Sequence, residues 1–211
     1  MAKQPRAEHT RLHLVRSAAE LFDVGGFAGT TLADVSRSAG VTKGAFYFHF
    51  SSKDELAGAI QAEACVLLRS AVYGVAASRL PALQSLVDLT HELVLWLEHD
   101  PLVRASFRTA RECGHRGRPF LDFHAEWLSA VEMLLRDAER RGELAAGADI
   151  GHALTLVLSV SVGLEMLWWA KIRQGSMTES LTGMWMMVLP GLAKPGLPRR
   201  LRPAGSRRQT G

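Results

Sequence analysis

The chain has 211 residues, 47% hydrophobic and 7% aromatic. That is too apolar for a disordered polymer and long enough for a small N-terminal domain plus a larger one, or one extended helical unit. The net charge of +4 is uneven: residues 1–53 carry seven Lys/Arg against four Asp/Glu, 54–193 twelve against seventeen, and 194–211 six with no acid. Two cysteines, Cys65 and Cys113, suggest neither a disulfide framework nor a zinc site, and the longest apolar stretch, Ala153 to Leu164, falls short of the roughly 20 residues of a bilayer span.

Strand-like alternation of useful length is absent, so the expectation is an all-α fold. Helices are predicted over 8–24, 32–39, 43–49, 53–77, 82–98, 101–113, 119–141, 149–173 and 177–193. In the first, Leu12, Val15, Ala19 and Phe22 share a face with Ala18 and Leu21 beside them, and Gly25-Gly26 ends the helix. The next two short helices meet at Ala39-Gly40-Val41, the layout of a helix-turn-helix DNA reader. Thr31 with Asp34 makes a capping box, Gly40 accepts the turn, and Thr42 caps the second helix.

That second helix opens with one long cation and two small residues, Lys43, Gly44 and Ala45. Small side chains allow close approach to DNA, and lysine can donate to guanine or to phosphate. Tyr47 and His49 present polar tips for phosphates beside Phe46, Phe48 and Phe50, of which at least Phe50 belongs to the core. Ser52 with Glu55 forms a further capping box, and Lys53 is placed to meet a phosphate. The candidate DNA contacts are therefore Thr31, Thr42, Lys43, Gly44, Ala45, Tyr47, His49 and Lys53.

Three strings, Thr30 to Val35, Ala39 to Gly44 and Tyr47 to Lys53, resemble the N-terminal domain of TetR-family transcriptional repressors. The start, Arg6-Ala7-Glu8-His9-Thr10-Arg11, is similar to the γ-butyrolactone receptor branch of that family. The strong match covers about the first quarter of the chain; the remainder resembles that branch in length and a few anchor residues. The resemblance implies a three-helix helix-turn-helix domain and a C-terminal helical domain for effector binding and dimerisation. The boundaries expected are 1–52 for the reader, 53–193 for the effector and dimer domain, and 194–211 for a flexible basic tail.

Phe120, Phe123 and Trp127 fall on one helical face. The γ-butyrolactone receptors carry a tryptophan in a similar Glu-Trp context that lines their ligand cavity. This implies a pocket role for Trp127; core packing is the competing reading. Helix 149–173 is apolar nearly all round, and Ser161 and Glu165 share a face with Leu158 and Trp168. Ser161 can orient a ligand carbonyl or bond its own helix backbone. Glu165 is either a pocket acceptor or a dimer contact. Thr90, Phe107 and Phe123 complete the candidate effector-lining set. Arg104, Arg108, Arg111, Arg116 and Arg118 fit either an anionic effector or a solvated face paired with acids.

One short recognition helix reads too few base pairs, so a homodimer on a pseudo-palindromic operator is expected, built on 149–173 and 177–193. The leading reading is a repressor released by a γ-butyrolactone-like effector. Alternatives are a same-fold regulator answering to antibiotics, other xenobiotics or no ligand, and a sequence-blind architectural DNA-binding protein favoured by the basic tail. No catalytic motif or ligand-spaced metal set is present; His91 and His99 beside Glu98 are a weak metal pattern. The expectation is no enzyme activity, no cofactor, no metal and no membrane partner. The polar N-terminus shows no charged-then-apolar signal pattern, and the expected location is cytoplasmic and nucleoid-associated.

Overall fold

The computed structural model describes residues 3–117 and 120–206, with side chains from Ala7 onward. Among these residues nine α-helices follow one another: α1 (Lys3–Gly29), α2 (Leu32–Ser38), α3 (Lys43–His49), α4 (Lys53–Ala77), α5 (Ala82–His99), α6 (Pro101–Cys113), α7 (Asp122–Arg140), α8 (Ile150–Trp169) and α9 (Met177–Leu192). Short 3-10 turns cover Gly114–Arg116 and Pro198–Arg200. The only strand-like pairing among the described residues is an isolated bridge between Leu144 and Ala193.

The chain forms two compact units, Met1–Leu68 with Asp100–Glu126, and Arg69–His99 with Trp127–Gly211. These differ from the expected boundaries after 52 and 193. The cause lies in α6, whose apolar side packs on α1, so that Ala105, Cys113 and Phe120 join the core of the N-terminal helices. That core is built on Leu14, Val15, Ala18, Phe22, Val35, Phe46, Phe50 and Ile60. Phe22, Phe46 and Phe50 are almost wholly buried, and each such ring stabilises the fold by roughly 1.5–3 kcal/mol. Leu12 is only half-buried, and Leu14 takes its place in the core.

As expected, the first helical run of α1 stops at Gly25-Gly26: Gly26 adopts φ 76°, and a short second helical turn follows to Gly29. The kink swings Phe27 inward, edge-on to Phe22 at 5.5 Å and to Phe120 at 5.8 Å.

In the second unit α5 is buried along most of its length. Its first turn is capped from afar, because both Glu143 carboxylate oxygens accept backbone N–H groups, from Ala82 at 3.0 Å and Leu83 at 2.9 Å. The α5–α9 seam is pinned by Trp185, whose indole N–H donates to the Thr90 hydroxyl at 2.8 Å. α4 and α8 are each long and apolar enough to cross a membrane by length and composition. α8 reaches that length because it extends beyond the twelve-residue apolar stretch of the sequence reading.

Residues 194–206 are packed, contrary to the flexible tail expected over 194–211. Leu197 and Leu201 are buried. Gln84 donates to the Arg202 carbonyl and accepts from the Arg202 N–H at 2.7 Å, while His91 donates to the Pro203 carbonyl at 2.8 Å. The Asp88 carboxylate accepts from the Ser206 N–H at 2.7 Å and from the Ser206 hydroxyl. Composition alone hid this, since the partners of this Pro- and Arg-rich stretch lie more than a hundred residues upstream. Arg207 and Arg208 lie outside the described residues.

Candidate nucleic-acid interface and effector residues

Local chemistry builds the reader. The Thr31 hydroxyl accepts from the Asp34 N–H at 3.1 Å and the Asp34 carboxylate accepts from the Thr31 N–H at 3.1 Å, a complete capping box. Hydrogen bonds from the Thr31 hydroxyl and N–H hold the Asp34 carboxyl below its usual pKa. Gly40 takes φ 63° at the turn, a left-handed value that glycine adopts without penalty. Thr42 then caps α3 by accepting from the Ala45 N–H at 3.2 Å, a contribution of about 1 kcal/mol. At α4 the second cap departs from the expected box: Glu55 donates its N–H to Ser52, but its carboxylate accepts from Ser51, at 2.8 Å from N–H and 2.7 Å from hydroxyl.

α3 therefore turns Phe46 and Phe50 into the core and leaves Thr42, Lys43, Gly44, Tyr47 and Phe48 exposed. A Cβ built on Gly44 would meet no atom within 4 Å, so this corner is open. Lys43 extends beside Tyr47, its Nζ 5.9 Å from the ring centroid. Ala45 and His49 are half-buried at the edge of the same face. Phe48 is the residue that sequence reasoning passed over: it is 79% exposed, with the His49 ring edge-on at 5.1 Å. Its signal was the helical period, which puts position 48 opposite the Phe46 and Phe50 side.

Lys53 is less free than expected. Its ammonium lies over the Phe27 ring at 4.4 Å and 3.5 Å from the Ala28 carbonyl, and burial lowers its pKa against the opposing pull of Glu112 and Asp54. Thr31 is bound into its capping box, with its hydroxyl donating to Asp34 at 2.6 Å.

The candidate effector residues divide between the units. Phe107 and Phe123 come together in the first, with ring centroids 5.8 Å apart and His124 at 4.5 Å from Phe107. Burial pushes the His124 imidazole down to about 4, so it is neutral at physiological pH. Thr90, Trp127, Ser161 and Glu165 belong to the second unit. Thr90 is buried, its hydroxyl donating to Val87 at 2.7 Å while accepting from Trp185. The Ser161 hydroxyl bonds its own helix, donating to Val157 at 2.8 Å. Trp127 is buried, and its indole N–H, like the His124 Nδ1 and the Thr109 hydroxyl, has no hydrogen-bond partner among the described residues. His91 is engaged by Pro203, which accounts for it without a metal.

Residues 14–60 match the pattern of bacterial regulatory proteins of the tetR family. The chain is 31% identical over 205 residues to the A-factor receptor protein of Streptomyces griseus, covering 97% of this chain and 71% of that protein. This chain belongs to the TetR family. A crystal structure of a γ-butyrolactone receptor (ArpA-like protein) superposes with TM-score 0.79 at 30% identity, covering 94% of each chain. The TetR-family protein CprB of Streptomyces coelicolor, solved with its operator sequence, superposes with TM-score 0.73 at 32% identity, covering 92% of this chain and 93% of that one. As a TetR-family chain near the γ-butyrolactone receptors, the protein is a transcriptional regulator and not an enzyme.

Proposed function

We propose that the protein is a dimeric repressor that grips a pseudo-palindromic operator and releases it on binding a small, apolar, oxygenated effector of the γ-butyrolactone type. The observation that carries the DNA half is the outward face of α3, where Thr42, Lys43, Gly44, Tyr47 and Phe48 stand exposed on a doubly capped scaffold. Lys43 donates to a guanine edge or a phosphate, Tyr47 and His49 to phosphates, and Phe48 meets a thymine methyl. Ala45 lets the backbone approach, and Thr31 and Lys53 flank the contact at the helix starts. Such a protein works in the cytoplasm, where the chromosome is.

The effector half rests on Trp127. A buried N–H lacking an acceptor is costly, by about 1–3 kcal/mol, unless a ligand supplies one. A lactone or ketone oxygen does so, and the indole face takes an alkyl chain. The relatives named for the A-factor and for γ-butyrolactones support this choice of chemistry. In the same unit as Trp127, Glu165 offers a buried carboxylate on α8.

The deciding experiment is footprinting on DNA upstream of the protein's own gene, with and without a panel of butyrolactones and aromatic antibiotics. Protection of a two-fold site, lifted by a lactone alone, is the expected result; release by an antibiotic alone replaces the effector class. Lys43→Ala should weaken operator binding about tenfold or more in fluorescence anisotropy. Affinity equal to wild type would displace α3 as the reading helix.

A further inference from the structure

Arg104, Arg108, Glu112 and Arg116 follow one another at intervals of four, the first three down one side of α6 and the last in the turn beyond it. Every one of them touches the N-terminal helices. Arg104 donates to the Asp23 carboxylate at 2.8 Å. Arg108 donates to the Asp23 and Val24 carbonyls at 2.6 and 2.8 Å and to Glu112 at 2.9 Å. Glu112 accepts the Phe27 and Ala28 N–H groups at 2.8 and 3.4 Å. Arg116 pairs with Asp54 and lies over the rings of Phe27 and Phe120, at 5.5 and 5.0 Å.

The places gripped are what matter. Asp23 to Ala28 contain the α1 kink, three residues before the Thr31 cap of α2. Asp54 is in the first turn of α4, five residues after α3 ends. One charged stripe thus holds the chain immediately before and immediately after the helix-turn-helix. At the kink the fit is close: a Cβ on Gly26 would stand 2.5 Å from Glu112 Oε1 and 2.8 Å from Arg108 Nη2.

We propose that Arg104, Arg108, Glu112 and Arg116 are positioning residues for operator recognition, fixing the tilt of α2–α3 from outside the DNA contact. This rests on α3 being the reader. It makes residues 100–116 part of the DNA-reading apparatus rather than of an effector body, and it gives the expected pairing of these arginines with acids a role.

The test uses full-length protein with a charge swap. Asp23→Arg and Arg104→Asp should each lower the ratio of specific to random DNA affinity about tenfold, a ratio in which the change of net charge at phosphates cancels. The double variant should recover operator affinity with the opposite polarity. Melting temperature is followed in parallel. The proposal is overturned if both single variants keep the wild-type ratio, specific and random affinity moving together, or if the double variant fails to recover. Lys43→Ala serves as the control: an unchanged affinity there overturns the reading-helix assignment, and the swap series still decides the stripe through the ratio of specific to random binding.

Discussion

Trp127 and His124 lie three residues apart on α7, and each carries a nitrogen without a partner among the described residues. Their expected behaviours differ. Trp127→Phe keeps an aromatic ring but removes the unsatisfied N–H, so the melting temperature should fall little while the lactone concentration for half-release rises about tenfold. Anisotropy of labelled operator reads this directly; an unchanged midpoint removes the N–H from effector contact. His124 governs a pH response. Its pKa drops from an ordinary 6.5 to about 4 on folding, so the unfolded chain takes up the proton first as pH falls. Stability is intact above 6.5 and declines between 6.5 and 4, by about 3 kcal/mol at most. A His124→Leu variant should show a flatter melting profile over that window; identical profiles would refute the assignment. At this scale the sequence was most informative where partners are near neighbours. Thr31, Asp34, Gly40, Thr42 and Phe50 are all placed from spacing alone. Thr90 is not, because its partner Trp185 is 95 residues away.

Helices 2 and 3 agree with the sequence reading almost to the residue, since caps and breaks are local. Elements joined by distant polar contacts were opaque. The pairing of Arg104 to Arg116 with acids was expected, but that the acids of two of them, Asp23 and Asp54, lie on α1 and α4 needed the fold. The 194–206 segment read as a tail, because Pro and Gly signal irregular backbone but say nothing about what that backbone docks against. Asp88 is the test of that docking. Asp88→Ala removes the acceptor for the Ser206 N–H and hydroxyl and for the Gln84 amide. Urea unfolding should show a loss of about 1–3 kcal/mol, and protease should cut within 194–206 faster than in wild type. Equal cutting rates would mean the segment is held by Leu197 and Leu201 alone.

For the molecule as a whole, the informative pattern is the inverted polarity of α8. Its buried stripe, Ala153, Val157, Ser161 and Glu165, includes a hydroxyl and a carboxylate, while Val162, Met166, Leu167, Trp168 and Trp169 stand exposed. α9 adds Met187, exposed at 77%, and Met186. An apolar face of this kind suits a second copy of the chain, as the proposed two-headed operator grip requires. Val162→Glu with Met166→Lys should convert dimers to monomers in sedimentation velocity and abolish tight operator binding. A variant that stays dimeric would move the interface elsewhere. Composition announced the surplus of apolar residues, but which side faced outward needed the fold.

The docking of Ser206 on Asp88 also orders events during synthesis. α5 leaves the ribosome before the segment it holds, since the C-terminal partners of Gln84, Asp88 and His91 are translated 112 to 118 residues later. The DNA-reading unit needs nothing made after residue 126, so the second unit is the last to be fastened.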